Sequence, residues 1–216
     1  MSIPSDIRLA KERDPAARSA LEILLTYPGL HAVWSYRVSH ALWRAHLKLC
    51  ARLQSQFTRW ITGIEIHPGA VIGQRFFIDH GMGVVIGETS IVGDDVTIFQ
   101  GVTLGGTGKD KGKRHPTVED GVVIAAGAKV LGNITIGKGS SVGAGAVVVK
   151  PVPPNSTVVG VPGHFVVHRG RTVPTTDLHH ERLPDPVAEM FRHIERRIDR
   201  LDHELDEYER KNTRGR

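Results

Sequence analysis

From Ile66 onward an aliphatic residue recurs at every sixth position. The series runs Ile66, Ile72 and Ile78, then Ile86, Val92, Ile98 and Leu104, then Val118, Ile124, Val130, Ile136, Val142 and Val148. All thirteen frame positions are Ile, Val or Leu, which make up about a quarter of the chain, so chance agreement is on the order of one in 10^8. A period of six fits a parallel β-helix, in which each short strand turns one aliphatic side chain inward and each coil stacks it on the coil below. Gly73, Gly87, Gly93, Gly105, Gly137 and Gly143 directly follow frame positions, where glycine is expected to ease the corners. The frame breaks twice. The step from Ile78 to Ile86 is eight residues and holds Asp79-His80-Gly81; the step from Leu104 to Val118 is fourteen and holds a glycine-rich basic loop, 105–117, that contains Arg114-His115. Insertions in a solenoid are loops on one face, often the binding face, so chemistry is expected there.

Before the repeats the spacing is helical. Asp14-Pro15 reads as an N-cap and first turn, followed on one face by Leu21, Leu24 and Leu25 until Tyr27-Pro28-Gly29. A second helix begins near there on Leu30, Val33, Trp34, Arg37, Val38, Ala41 and Leu42, and Leu49, Leu53, Phe57 and Ile61 continue it to Gly63. Trp34, Trp43 and Trp60 are expected in the core or an interface of this segment, and Cys50 as a small core residue. His67, before Pro68, is expected to set up the first coil. Pro151, Pro153 and Pro154 close the repeats, since proline cannot continue a ladder. Beyond them Val187, Phe191, Ile194, Ile198, Leu201, Leu205 and Tyr208 alternate steps of four and three, a heptad seam that predicts an oligomerising helix, with packing on its own subunit as the alternative. Three parts result: a helical segment 1–62, a β-helix 63–163 that carries 21 of the 24 glycines, and a tail 164–216 with a helix over about 185–211.

A length of 216 residues suits one domain plus appendages. The net charge of +5 raises nucleic acid as a partner, but residues 181–216 hold 9 basic and 10 acidic side chains, so the surplus lies upstream. Its one dense spot, Lys109, Lys111, Lys113 and Arg114, lacks the aromatics of a nucleic-acid groove, and no such partner is expected. No stretch approaches the roughly 18 uncharged apolar residues of a membrane span, and Met1–Arg18 lacks an apolar signal core, so a cytoplasmic protein is expected. A single cysteine, Cys50, excludes an internal disulfide and a Cys-built metal cluster.

The segments Glu65-Ile66-His67-Pro68, Phe77-Ile78-Asp79-His80-Gly81, Val102-Thr103-Leu104-Gly105-Gly106-Thr107-Gly108-Lys109 and Lys113-Arg114-His115-Pro116 together resemble the serine O-acetyltransferases. The likeness runs from about Asp14 through Gly160-Val161-Pro162-Gly163. It implies a left-handed β-helix assembled as trimers, and transfer of acetyl from acetyl-CoA to the hydroxyl of L-serine, the first committed step toward cysteine. A serine hydroxyl is a poor nucleophile at neutral pH and needs a general base with a pKa near 7, a role suited to histidine. The resemblance implies His80 as that base and Glu65, where the family often shows aspartate, as the acid that orients its ring. It implies Asp14 and Asp79 for the substrate ammonium and Arg114 and His115 for its carboxylate. For acetyl-CoA it points to Thr107, Ala125, Ala126, Ala144 and Gly145, with the loop lysines facing CoA phosphates. Family sites lie between subunits, so His80 and His115 are expected to meet across a trimer interface.

Three other readings are weighed against this one. Zinc enzymes of the γ-carbonic anhydrase type share the fold but carry a His-x-x-x-x-His pair, which neither His80 nor His115 begins, so no metal is expected. An O-acetyltransferase for a sugar or other small alcohol would keep His80 without the amino-acid clamp. A trimeric scaffold would use the heptad tail to bind a partner. L-cysteine, nearly isosteric with serine, is expected to compete for the clamp as a feedback inhibitor. The chain ends Thr213-Arg214-Gly215-Arg216 where many family members end in isoleucine, so a complex with O-acetylserine sulfhydrylase is not expected. With 62 residues before the repeats, a homotrimer is expected in place of a hexamer.

Overall fold

The structure, a computed structural model, describes residues 3–108, 111–166, 195–198, 200 and 201. The chain divides into two units, Met1–Leu183 and Pro184–Arg216. In the second, the described residues are helical, and the rest of the expected heptad helix lies outside the described residues.

Among the described residues of the first unit, fifteen short strands wind around three sheets. The first sheet stacks β1 (Glu65–Ile66), β4 (Val85–Ile86), β7 (Thr103–Gly105), β10 (Lys129–Leu131) and β13 (Val147–Val148). The second stacks β2 (Val71–Ile72), β5 (Ile91–Val92), β8 (Thr117–Val118) and β11 (Thr135–Ile136). The third stacks β3 (Phe77–Ile78), β6 (Thr97–Ile98), β9 (Val123–Ile124), β12 (Ser141–Val142), β14 (Thr157–Val159) and β15 (His164–Val166). Pairing is parallel and frame on frame, Ile66 to Ile86 to Leu104 to Val130 to Val148 in the first sheet, and β15 alone runs antiparallel and ends the third. The period-six residues are therefore the interior column of a parallel β-helix: all are buried except Ile72, which packs against the others half-exposed.

A second interior column, two residues before the first, includes Ile64, Val84, Val96, Val102, Val122 and Ile134. It was not legible as a repeat because Ser90 and Ser140 also occupy it. The glycines after frame positions serve a different purpose from the one expected. A Cβ on Gly73 would lie 2.7 Å from the Gly93 carbonyl carbon, so glycine there permits coil-on-coil approach. The left-handed corners stand three residues past the frame, at Gly101 and Gly127 among others.

The helical segment departs from expectation in three places. A helix α1 (Ile3–Arg13) precedes Asp14, so Asp14 follows a helix and does not cap the next one. That helix, α2 (Ala20–Thr26), is capped by Ser19, whose hydroxyl accepts from the Glu22 N–H at 3.1 Å. The charged α1 is recruited by tertiary contact: Leu9 and Ala10 form a second core with Ile23, Leu30 and Phe77, the last turned outward from β3 while Ile78 beside it turns inward. The long second helix is two, α3 (Pro28–Arg44) and α4 (Lys48–Thr62), broken where His46 takes a left-handed φ of 62°.

The third departure is the face α4 buries. Its inward residues are small, Ala51, Ser55, Thr58 and Thr62, and let it lie close on α3 and β1, with Ser55 donating to the Ile66 carbonyl at 2.9 Å. Leu49, Leu53, Phe57 and Ile61 therefore point outward. Trp60 is 80% exposed and Cys50 is exposed too, so neither is a core residue. Among the described residues no helix is long and apolar enough to cross a membrane.

Candidate active site

The eight-residue step places His80 at the corner between β3 and β4. Asp79 is anchored by its N–H to the Ile98 carbonyl at 2.9 Å, and Gly81 N–H closes a tight turn on the Asp79 carbonyl at 2.6 Å. His80 is held with φ 56°, a left-handed conformation that costs a side-chain-bearing residue about 1 kcal/mol or more. The ring projects into solvent, 74% exposed, with Nε2 3.8 Å from the Asp79 carboxylate. Along the same edge of the β-helix the corners of later coils stack on this one, linked by Gly101 N–H to the Met82 carbonyl, Gly127 N–H to Gln100 and Gly145 N–H to Ala126, each at 2.8 Å. Ala125, Ala126, Ala144 and Gly145 belong to these corners, so His80 and four of the five expected acetyl-CoA residues form one narrow column.

Asp14 joins this edge from the helical segment. Its Oδ1 accepts the Ala16 N–H at 2.7 Å and its Oδ2 accepts the Tyr27 hydroxyl at 2.5 Å. The Tyr27 phenol pKa is pushed up by burial, by its bond to Asp14 and by the charges of Asp14, Glu22 and Asp79. The two carboxylates expected to hold an ammonium thus act on one hydroxyl. Glu65, the expected orienting acid, lies on β1 and pairs with Arg59 at 3.0 Å; among the described interactions it is tied to Arg59 and not to His80.

Arg114 and His115 occupy the opposite edge of the first sheet, at the corner between β7 and β8, against the β4–β5 corner that carries Glu88 and Thr89. The Arg114 guanidinium donates to Glu88 at 2.5 Å, which holds the Glu88 carboxyl below the usual range. Thr89 organises His115. Its hydroxyl oxygen accepts the backbone N–H groups of Arg114 and His115, at 3.0 and 3.1 Å, and so directs its own proton to His115 Nδ1, 2.9 Å away. The Thr89 N–H also donates to Nδ1, at 3.2 Å. With Nδ1 accepting, the neutral ring carries its proton on Nε2. Burial first, then the Arg114 charge, lowers the His115 pKa and favours that neutral donor. Gly87 leaves room for the ring, since a Cβ there would sit 2.0 Å from His115 Cδ2.

Thr107 lies on this second edge beside Gly132 and apart from the other residues expected to meet acetyl-CoA. Lys113 folds back to donate to the His115 carbonyl and is partly desolvated, so it supports the loop and does not extend toward a phosphate. Lys109 lies outside the described residues. Glu88, Thr89 and Tyr27 were not singled out from the sequence; an acid and a hydroxyl directly after a frame glycine were the available signal. Replacing Glu88 by glutamine is expected to raise the KM for the carboxylate-bearing acceptor about tenfold, with that for acetyl-CoA unchanged, in steady-state kinetics.

His67 starts the first coil as expected, its Nδ1 accepting the Gly69 N–H at 3.0 Å and its ring edge-on to Trp43. Burial, with the Arg52 charge, lowers its pKa to about 4 from 6.5. The unfolded chain therefore takes up this proton first as pH falls. The contribution is complete above pH 6.5 and is lost as pH drops toward 4, about 1–2 kcal/mol by pH 5. Denaturant midpoints at pH 7 and 5 are expected to differ more for the wild type than for His67→Asn; equal differences would contradict this.

Comparison with known proteins follows the same lines. Residues 115–150 match the family described as bacterial transferase hexapeptide (six repeats). A serine acetyltransferase of Bacillus subtilis (strain 168) is 59% identical over 205 residues, 95% of this chain and 94% of that one. The soybean serine acetyltransferase complexed with serine superposes with a TM-score of 0.74 and 48% identity, covering 76% of this chain and 68% of the other. The Brucella abortus (strain S19) enzyme in complex with coenzyme A gives 0.73 and 44%, covering 76% and 66%. These likenesses imply a left-handed sense for the β-helix. With 59% identity to one serine acetyltransferase over nearly the full length of both chains, and the fold shared, the chain belongs to the serine acetyltransferase family.

Proposed function

We propose that this chain transfers the acetyl group of acetyl-CoA to Oγ of L-serine, giving O-acetyl-L-serine and CoA. His80 takes the hydroxyl proton as Oγ attacks the thioester carbonyl; the tetrahedral intermediate collapses, the C–S bond breaks, and the imidazolium returns the proton to the departing thiolate. Asp14 and Asp79 hold the ammonium. Arg114 and the Nε2–H of His115 hold the carboxylate, each offering a donor to an oxygen. The small residues at Ala125, Ala126, Ala144 and Gly145 admit the pantetheine arm close to the backbone, and Thr107 closes on it from the loop. The resemblance assigns Glu65 to orient the His80 ring, a role for which the carboxylate must reach beyond its pair with Arg59.

One observation carries this reading: the expected residues divide between the two edges of the first sheet. Base, anionic pocket and small-residue column lie on one edge, and the cationic clamp with Thr107 on the other. Such half-sites are completed when the edge of one protomer faces the opposite edge of the next, which favours a cyclic trimer with three sites between protomers. The tail helix adds self-association through its heptad seam. The lone Cys50 fits a reducing cytoplasm. Opposed carboxylates and cations suit a zwitterion better than a sugar, which favours the amino-acid acceptor over the alternative. L-Cysteine presents the same ammonium and carboxylate and competes with serine.

Thiol release from acetyl-CoA, followed with L-serine, L-homoserine and sugar alcohols as acceptors, tests the assignment. Turnover with L-serine and little with the others is expected. Release with a sugar alcohol alone would move the chain to another acceptor class, and no release with any acceptor would favour the scaffold.

A further inference from the structure

We propose that Tyr27 is a positioning residue for the ammonium end of the acceptor, fixing the Asp14 carboxylate against the Asp79 turn. This inference rests on the serine reading above. Tyr27 stands where α2 ends and α3 begins, so its backbone is set by both helices: its N–H donates to the Ile23 carbonyl at 3.3 Å, and Pro28 opens α3 directly after it. The first turn of α3 is pressed onto the strand that leads into Asp79. A Cβ on Gly29 would lie 2.1 Å from the Ile78 carbonyl oxygen, a contact only glycine allows. Tyr27-Pro28-Gly29, which the sequence marks as a helix stop, thereby connects Asp14 to Asp79 across segments 65 residues apart.

The phenol holds one oxygen of Asp14 and the Ala16 N–H holds the other, so both are directionally fixed. Asp14 is only half-buried, and water could satisfy it without help. A phenol in that place therefore serves orientation more than satisfaction. Burial and the neighbouring carboxylates keep the hydroxyl protonated, so it remains a donor across the working pH range. An oriented Asp14 leaves its remaining lone pairs to an ammonium arriving between it and Asp79, and the aromatic ring, packed against the second core, keeps the group from yielding.

Tyr27→Phe removes the hydroxyl and keeps the ring. Steady-state kinetics are expected to show a KM for L-serine raised about tenfold, kcat within about twofold, and an unchanged KM for acetyl-CoA. Titration calorimetry with L-serine is expected to show the same loss of affinity. An unchanged KM for L-serine would overturn the inference while wild-type turnover leaves the serine reading standing. A parallel rise in the KM for acetyl-CoA would overturn it in favour of a purely structural role. A wild type that does not acetylate L-serine would overturn the serine reading and this inference together.

Discussion

His80→Ala is expected to lower kcat for acetyl transfer to L-serine by about 10^2–10^4-fold, with acetyl-CoA affinity and the circular-dichroism spectrum retained. The ring stands 74% exposed at a corner whose backbone is fixed by Asp79 and Gly81, so truncation removes chemistry without removing packing. The left-handed φ of His80 strains any residue with a Cβ, alanine and histidine alike, and with no packing lost the fold is not expected to suffer. A loss below about fivefold would assign the proton transfer to another group.

Arg114→Ala is expected to cost about 10^2–10^3-fold in kcat/KM for L-serine and little for acetyl-CoA. Two losses combine. The carboxylate loses a charged donor, and Glu88, left without its partner at 2.5 Å, places an uncompensated negative charge beside the substrate carboxylate. Arg114→Lys is expected to recover only part of the loss, since an ammonium cannot serve Glu88 and a carboxylate in one plane. Full activity in the lysine variant would show that charge alone suffices. The Glu88→Gln variant is expected to be milder because its amide keeps an acceptor for Arg114 without the charge.

What the residues disclosed in advance follows from how locally each feature is determined. A coil of a β-helix must bury one aliphatic residue per short strand, so Ile66 through Val148 announce themselves without alignment. The breaks in that frame mark His80 and Arg114-His115 for the same reason: residues that do not stack need another use. The α1 helix leaves little trace in the sequence because its two buried apolar residues, Leu9 and Ala10, find their partners on α2, α3 and β3, and a charged eleven-residue segment shows little pattern of its own. In α4 the largest apolar residues stand outside and the small ones inside, the reverse of an amphipathic expectation, because close approach to α3 and β1 selects Ala51 and Ser55. Glu88, Thr89 and Tyr27 act across sequence gaps of 26, 26 and 13 residues, and only the register of the coils and the packing of the helices bring them to their partners. The division of the site between two edges is likewise a property of strand order, invisible to any motif.

That division is tested most directly by co-expressing His80→Ala and Arg114→Ala chains and assaying the mixed assembly with L-serine and acetyl-CoA. Each variant alone is expected to be nearly inactive, and the mixture is expected to recover about a quarter of the wild-type rate, the share of sites in which random assortment pairs an intact His80 edge with an intact Arg114 edge. Mixed assemblies that stay as inactive as either parent would show that both residues serve the same site from one chain, and would contradict a site completed between protomers.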